Sequence, residues 1–535
     1  MDCLEVILGA KVTEYKRLEG SALERLDFLH GEINGALLKA ARRAERMCGM
    51  VTCNGVRRGR CKYSFNTPEI SQISGELRAL GDTDAMRRQI LRRQLRRAQR
   101  RRVYCVEDDY SGTIGRILYE DRSRFWKEVK KAKRHSARRA TVLSAKPSAV
   151  AFVDFYRTLF SHHDRPSDEA HQAVSANVRE YARSLHDRVP DFNLSKTAVC
   201  DALHELKCGK AAGVNGISNE FLIYGTTEIL VEALHILFDL MLTTGMVPTD
   251  LNTALLIPIP KSKDIAAPSD YRPISVSTPI CTLLELLLRQ RMPFLEEQNP
   301  NQFGYKKATS CKSAYYVVNE SMNYYKSGRS NCHVVSLDAA KAFDKLWRDG
   351  LFEKLKPVTD PCTWKLLHRY YEESFAVVGL EGFRSDKFKI NEGVKQGGIL
   401  SSLLFNFFMD GLLSRLLELN VGALVGGVNT SALAYCDDIL LISPVEAHMQ
   451  KLIQCCEVYA DRWKLSFNTT KSSSYSMVPV EYNFTLNGER IPKSQGFVYL
   501  GLPIGGVDFV EEFYLEKMRS CEKALYSMKN IDCTR

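Results

Sequence analysis

What the sequence lacks narrows its function before anything it contains. No basic segment followed by an apolar core opens the chain, whose first residues are MDCLEVILGAKVTEYKRLEG, and no later run reads as long and apolar enough to span a bilayer. Secretion and membrane insertion are therefore not expected. Sixteen cysteines are scattered from Cys3 to Cys533 without a CxxC pair or a Cys/His cluster at zinc-ligand spacing. They read as reduced, structural thiols in a reducing compartment rather than as a metal site. No internal repeat is apparent. Acidic residues are in the minority, 63 against 74 Lys and Arg, leaving a formal charge of +11. That balance favours a polyanionic partner, nucleic acid first among them, and says nothing about fold.

What is present is ample. A chain of 535 residues that is 45% hydrophobic can bury several cores, which suggests roughly three or four domain-sized units. Residues 1–110 read as a basic, largely helical extension, ending in MRRQILRRQLRRAQRRR, where arginines crowd every face of a helix. The run is either a solvated helix or linker, or else an arm along phosphates or a nuclear-import signal. Residues 111–194 read as a helical linker region. Its stretch RSRFWKEVKKAKRHSARR sets Phe125 and Trp126 beside Lys127, Lys130, Lys131, Lys133 and Arg134, offering stacking faces next to charge unless the rings are simply core. From about Ser195 the texture changes to short helical patterns alternating with β-rich runs between Gly and Pro, as expected of a mixed α/β enzyme core.

The chemistry lies in that core. The segment HVVSLDAAKAFDKLW starts as a β-run and delivers Asp338 at its end; SALAYCDDILLIS alternates into Asp437 and Asp438 and continues as a second apolar strand. Adjacent acids between hydrophobic strands are costly unless a cation or solvent compensates them. Phosphoryl transfer supplies such a cation: two Mg²⁺ about 3.5–4 Å apart, held by hard oxygen ligands, stabilise the attacking and leaving oxygens. Asp338 and Asp437 are the expected shared ligands, and the alternative is that both are ordinary turn residues. Lys261 and Arg272, in LLIPIPKSKDIAAPSDYRPIS, are the cations expected to face a triphosphate.

An ordered set of blocks then points to a family. In chain order they are LKCGKAAGVNGISNEFL, IPIPKSKD with DYRPISV, NQFGYKKATS, VVSLDAAKAFDKLW, EGVKQGGILSSLLFNFFMD, AYCDD, LSFNTTKS and FVYLGLPI. The region from about Ser195 to Gly505 thereby resembles the reverse transcriptases of non-LTR (LINE-type) retrotransposons. The resemblance implies an α+β right-hand polymerase with an antiparallel palm sheet. Its fingers would span 195–325, its palm 326–505, and the start of a thumb 506–535. It implies Asp338, Asp437 and Asp438 as catalytic and metal-binding carboxylates, Tyr435 near the primer end, Gln396 and Gly397 under the incoming nucleotide, and Lys471 in the block closing over the triphosphate. Phe343 would be the ring that packs on the sugar and excludes a 2′-hydroxyl, where related RNA polymerases carry a polar residue. Mg²⁺ (two ions, with Mn²⁺ an alternative), an RNA template, a DNA primer or target and dNTPs are the implied cofactors and partners, and a nuclear location, shared with the cytoplasm, follows. The pattern departs at Asn215, Ser402 and Cys436, none of them a metal ligand. The competing readings are an RNA-dependent RNA polymerase and a domesticated palm that binds RNA without catalysis.

Overall fold

The computed structural model describes residues 2–47, 68–79, 87, 89–99, 147–161, 165–261, 266–479 and 481–528. Two compact units emerge, one from segments 1–51 and 144–510, the other from 52–143 and 511–535. The basic stretch around Phe125 and Trp126 lies outside the described residues.

In the larger unit, two sheets carry the architecture. The first joins β1 (Thr253–Pro260), β2 (Tyr271–Val276) and β4 (Phe375–Leu380), with the short β5 (Phe383–Arg384) and β6 (Phe388–Lys389) at the β4 side. β1 pairs antiparallel with β2 but parallel with β4, so β3 (His333–Ala339), which lies between them in the chain, is looped out to the second sheet. That second sheet is wholly antiparallel. It has the order β9 (Phe467–Ser476), β3, β8 (Asp438–Ser443), β7 (Ala432–Tyr435), and a separate hairpin of β10 (Gly496–Tyr499) and β11 (Leu502–Gly505) follows.

The second sheet is covered on both faces, which explains why its inner strands read as continuous apolar runs. Alternation sorts them. Val335, Leu337, Ile439 and Leu441 join the main core, which includes the helices Ile399–Glu418 and Glu446–Arg462. Val334, Leu440 and Ile442 join a smaller core with Ala314 and Val318 of the helix Cys311–Ser327 and with Tyr499 and Ile504 of the hairpin. Each fully buried Val, Leu or Ile contributes about 1.5–3 kcal/mol, so the strands that carry the acids are anchored well behind them. The result is an α+β arrangement with an antiparallel sheet at its centre, of the class expected from the sequence.

Three sequence expectations meet a different arrangement. Residues 1–110 do not behave as one extension: Leu26, Leu29, Ile33 and Leu37 of the helix Ala22–Met47 are buried in the main core with Leu234 and Leu237 of the helix Glu228–Thr244, because their helical spacing makes one apolar face. Part of the expected linker is also core, since Phe152, Tyr156 and Phe160 of the helix Ala149–Ser161 pack on Leu256, Tyr271 and Val378 of the first sheet. Finally, the helix Ile399–Glu418 is by length and composition apolar enough to cross a membrane, contrary to the expectation of no such run. Its Leu400, Leu404, Phe405, Phe408 and Leu412 are buried within the protein, as befits a core helix.

In the smaller unit, the helical segment 89–99 also departs from a uniformly basic cylinder. Arg92, Arg93, Arg96 and Arg97 are exposed, whereas Leu91 and Ala98 are buried.

Candidate active site

The acids are assembled by strand register. Asp338 and Asp438 are direct partners across the antiparallel β3–β8 ladder, and by alternation both lie on the face shared by Val334, Leu440 and Ile442. Opposed Cβ atoms in such a pair are roughly 5 Å apart, and like charges placed so repel. Asp437 sits on the two-residue turn between β7 and β8, where Tyr435 pairs with Asp438. At the preceding turn position Cys436 has φ +61°, the left-handed backbone that a two-residue hairpin turn demands at its first central residue and that glycine normally supplies. Its side chain is nonetheless buried.

Electrostatics confirm that these groups feel one another. Burial raises the Asp437 carboxyl above its usual range, with Asp338 adding to the rise and Arg272 opposing it. Asp438 is pushed up to about 6 by desolvation, then by Asp437 and Asp338, again against Arg272. Asp338 is raised by burial and drawn back by Lys471 and Lys261. The cations singled out in the sequence therefore gather round the acids. Lys261 is partly engaged, its ammonium donating to the Ser269 carbonyl at 2.7 Å. Lys471 lies in the bulge of β9 between Asn468 and Ser473, its amide donating to Asn468 Oδ1 at 3.2 Å. The Tyr435 hydroxyl, hydrogen-bonded to Cys311, is pushed up to about 12.

The KQGG loop forms a second wall. Gln396 accepts the Ser275 amide at 2.7 Å, tying the loop to β2, and its Nε2 donates to Asp344 Oδ1 at 2.8 Å. Gly397 has φ +116°, and a Cβ there would lie 2.9 Å from the Ser275 carbonyl oxygen, so only glycine fits. Beneath the loop is a buried polar network: Lys395 donates to the Tyr370 hydroxyl at 2.7 Å, Tyr370 donates to Glu285 at 2.5 Å, and Glu285 accepts the Ile399 amide at 2.6 Å. Every charge in it has an opposite charge or a donor, which is what makes its burial tolerable. Phe343 is half-buried and stacked on Phe405, ring centroids 4.8 Å apart at 17°.

Sequence reasoning missed three side chains of this region, Gln302, Asp344 and Asn406. Each is polar and buried, and the signal was a polar residue interrupting an apolar pattern. As hard oxygen donors at strand ends and on the turn between them, Asp338, Asp437 and Asp438 suit a divalent cation, which would offset the burial that raises all three carboxyls. Among the described residues no three Asp, Glu, His or Cys side chains converge as a ready-made metal cluster. The fit is thus one of donor type and placement.

Residues 259–504, containing both walls and all three acids, match the family model for reverse transcriptase (RNA-dependent DNA polymerase). The segment is thus similar to reverse transcriptase domains. Its relatives are retrotransposon proteins. A Pol polyprotein of the type-2 retrotransposable element R2DM from Drosophila melanogaster is 30% identical over 218 residues, 41% of this chain and 20% of that protein. An RNA-directed DNA polymerase from the mobile element jockey of Drosophila funebris is 27% identical over 323 residues, 57% and 34% respectively. One from transposon BS of Drosophila melanogaster is 22% identical over 403 residues, 71% and 44%. The matched region is less than half of each relative's length. Among solved structures, apo telomerase from Candida Tropicalis truncated from its C-terminal domain covers 84% of this chain and 95% of its own at 11% identity and a TM-score of 0.36. The segment resembles the reverse transcriptase domains of non-LTR retrotransposons.

Proposed function

We propose that the chain is an RNA-directed DNA polymerase of the non-LTR retrotransposon type, extending a primer 3′-hydroxyl with dNTPs on an RNA template. The observation that carries this reading is the register that sets Asp338 against Asp438, with Asp437 on the adjoining turn. Asp338 and Asp437 would hold the Mg²⁺ ions, with Asp438 as the third carboxylate. When bound, the ions would activate the attacking oxygen and stabilise the leaving one. The chain's own residues do the rest. Arg272 and Lys261 offset the triphosphate charge, Lys471 closes from the β9 side and protonates the leaving group, Gln396 and Gly397 support the incoming nucleotide, and the Phe343 ring excludes a ribose 2′-hydroxyl. Tyr435 sits at the primer end.

Primer extension by the purified chain tests this, with RNA and DNA templates and with dNTPs and NTPs. Asp437→Asn should abolish Mg²⁺-dependent extension while leaving RNA affinity within about twofold, because an amide is a much weaker ligand and phosphate contacts lie elsewhere. Retained extension by Asp437→Asn defeats the assignment. Equal use of NTPs by the wild type would make it an RNA polymerase, and RNA binding without extension a domesticated palm.

A further inference from the structure

The turn bearing Asp437 rests on a buried support that the polymerase reading leaves unused. Gln302 is 0% exposed. Its Oε1 accepts two main-chain amides, those of Cys436 and Gly304, each at 2.9 Å. The backbone around it runs parallel to β7: the Phe303 amide donates to the Ala434 carbonyl at 2.8 Å, and the Ala434 amide to the Asn301 carbonyl at 2.9 Å. Gly304 comes so near the turn that a Cβ there would lie 2.6 Å from the Cys436 nitrogen. Behind Gly304 stands Asn406, also 0% exposed, on the helix Ile399–Glu418. It donates to the Gly304 carbonyl at 2.7 Å and to Gln298 Oε1 at 3.0 Å. That helix begins directly after the loop of Gln396 and Gly397.

Two features say that this is more than packing. Cys436 is held at a φ that a non-glycine residue keeps only where its surroundings over-determine it, and the hydrogen bond to Gln302 fixes the amide on the near side of that torsion. In addition, Gln302 Nε2 and Asn406 Oδ1 are buried without a hydrogen-bond partner among the described residues. Leaving one end of each amide unpaired costs stability, and what offsets that cost is the set of main-chain bonds that the other ends make at the turn and at Gly304.

We infer that Gln302, braced by Asn406 through Gly304, is a positioning residue that holds the Cys436–Asp437 turn in the conformation in which Asp437 can ligate metal, and couples that turn to the nucleotide loop. This rests on the reading of Asp338, Asp437 and Asp438 as the polymerase acids. Without the bond, the Cys436 torsion relaxes and Asp437 swings from its place. The cost falls on metal occupancy and turnover far more than on nucleotide or duplex affinity, most of whose contacts lie on other elements.

The test uses the full chain with Gln302→Met, which removes the acceptor at similar size, and Gln302→Glu, which keeps it. Gln302→Met should lower kcat by at least about tenfold and raise the half-saturating Mg²⁺ concentration at least about fivefold. The dNTP KM at saturating Mg²⁺ and the RNA–DNA duplex affinity should stay within about twofold. Gln302→Glu should recover at least about a fifth of wild-type kcat. Mn²⁺ titration followed by electron paramagnetic resonance reads occupancy without catalysis, and should show the same weakening in Gln302→Met. Gly304→Ala, which pushes on the turn and spares Gln302, is the second variant and should raise the metal midpoint likewise. An unchanged metal midpoint in whichever of these variants folds, or a parallel loss of duplex affinity, overturns the inference. If the wild type itself fails to extend a primer while still binding Mn²⁺ in a Gln302-dependent way, it is the polymerase reading that fails and the positioning role that stands.

Discussion

Asp344 is a buried carboxyl one residue from the stacked Phe343, and its surroundings set two measurable effects. Burial raises it from 3.8 to about 7, with the Gln396 hydrogen bond pulling the other way. A carboxyl whose folded pKa lies above its unfolded one costs no stability below about pH 4, where both states are protonated. It then weakens the fold progressively up to about pH 7, because the unfolded chain ionises first, and the penalty is constant above that. Asp344→Asn keeps an acceptor for Gln396 and cannot ionise. It should unfold at higher denaturant than the wild type at pH 8, by up to about 4 kcal/mol, and the difference should vanish near pH 4; a variant no more stable at pH 8 than at pH 4 contradicts the burial argument. Phe343 itself is pinned by Phe405, so Phe343→Ala opens space at the sugar instead of letting the ring swing aside. The ratio of kcat/KM for dGTP and GTP opposite the same template base should fall by more than about tenfold, equivalent to about 1.4 kcal/mol of differential transition-state binding. A ratio that stays high would make Phe343 core and leave the gate to another residue.

The elements around the site are joined by single buried polar side chains, and Arg348 is the clearest. Its guanidinium donates to the carbonyls of Gly393 at 2.9 Å, Tyr371 at 2.6 Å and Ile390 at 2.8 Å, so one residue ties the helix Arg348–Leu355 to the helix Pro361–Glu372 and to the strand leading into the KQGG loop. Lysine cannot present that fork. Arg348→Lys should destabilise the chain by roughly 2–4 kcal/mol in chemical denaturation, since the stranded carbonyls keep their desolvation cost; a loss below about 1 kcal/mol would mean water replaces the fork. These ties also mark where the sequence could be read and where it could not. Asp338, Asp437 and Asp438 were legible because β-runs with alternating apolar residues deliver them to strand ends, a local pattern. The burial of the helix Ala22–Met47 was encoded in the spacing of Leu26, Leu29, Ile33 and Leu37, yet the excess of basic residues masked it. Gln302, Glu285 and Lys395 could not be assigned at all, because each finds its partner on an element remote in sequence, and no local pattern states which remote backbone amide a buried side chain will meet.

Across the whole molecule, the +11 charge favours a polyanionic partner such as the proposed RNA, and the helical segment 89–99 offers the simplest handle on it. Arg92, Arg93, Arg96 and Arg97 are exposed; replacing all four by Ala should weaken RNA binding and reduce the slope of log affinity against log salt by up to about 3, at about 0.7 per phosphate contact on single strands. An unchanged slope would return the segment to a solvated helix. The parallel pairing of β1 with β4, and the antiparallel pairing of β3 with strands that follow it at long range, has a further consequence for how the protein is made. On the ribosome, β1 emerges with its β2 neighbour, but its other edge stays open until β4 is synthesised, and β3 has neither neighbour until β8 and β9, both beyond β4, are made. At about 5–20 residues per second, the apolar strand carrying Asp338 is exposed for roughly five to thirty seconds before it can be covered. The yield of folded protein is therefore set by protection of the nascent chain during that interval as well as by the stability of the finished sheet.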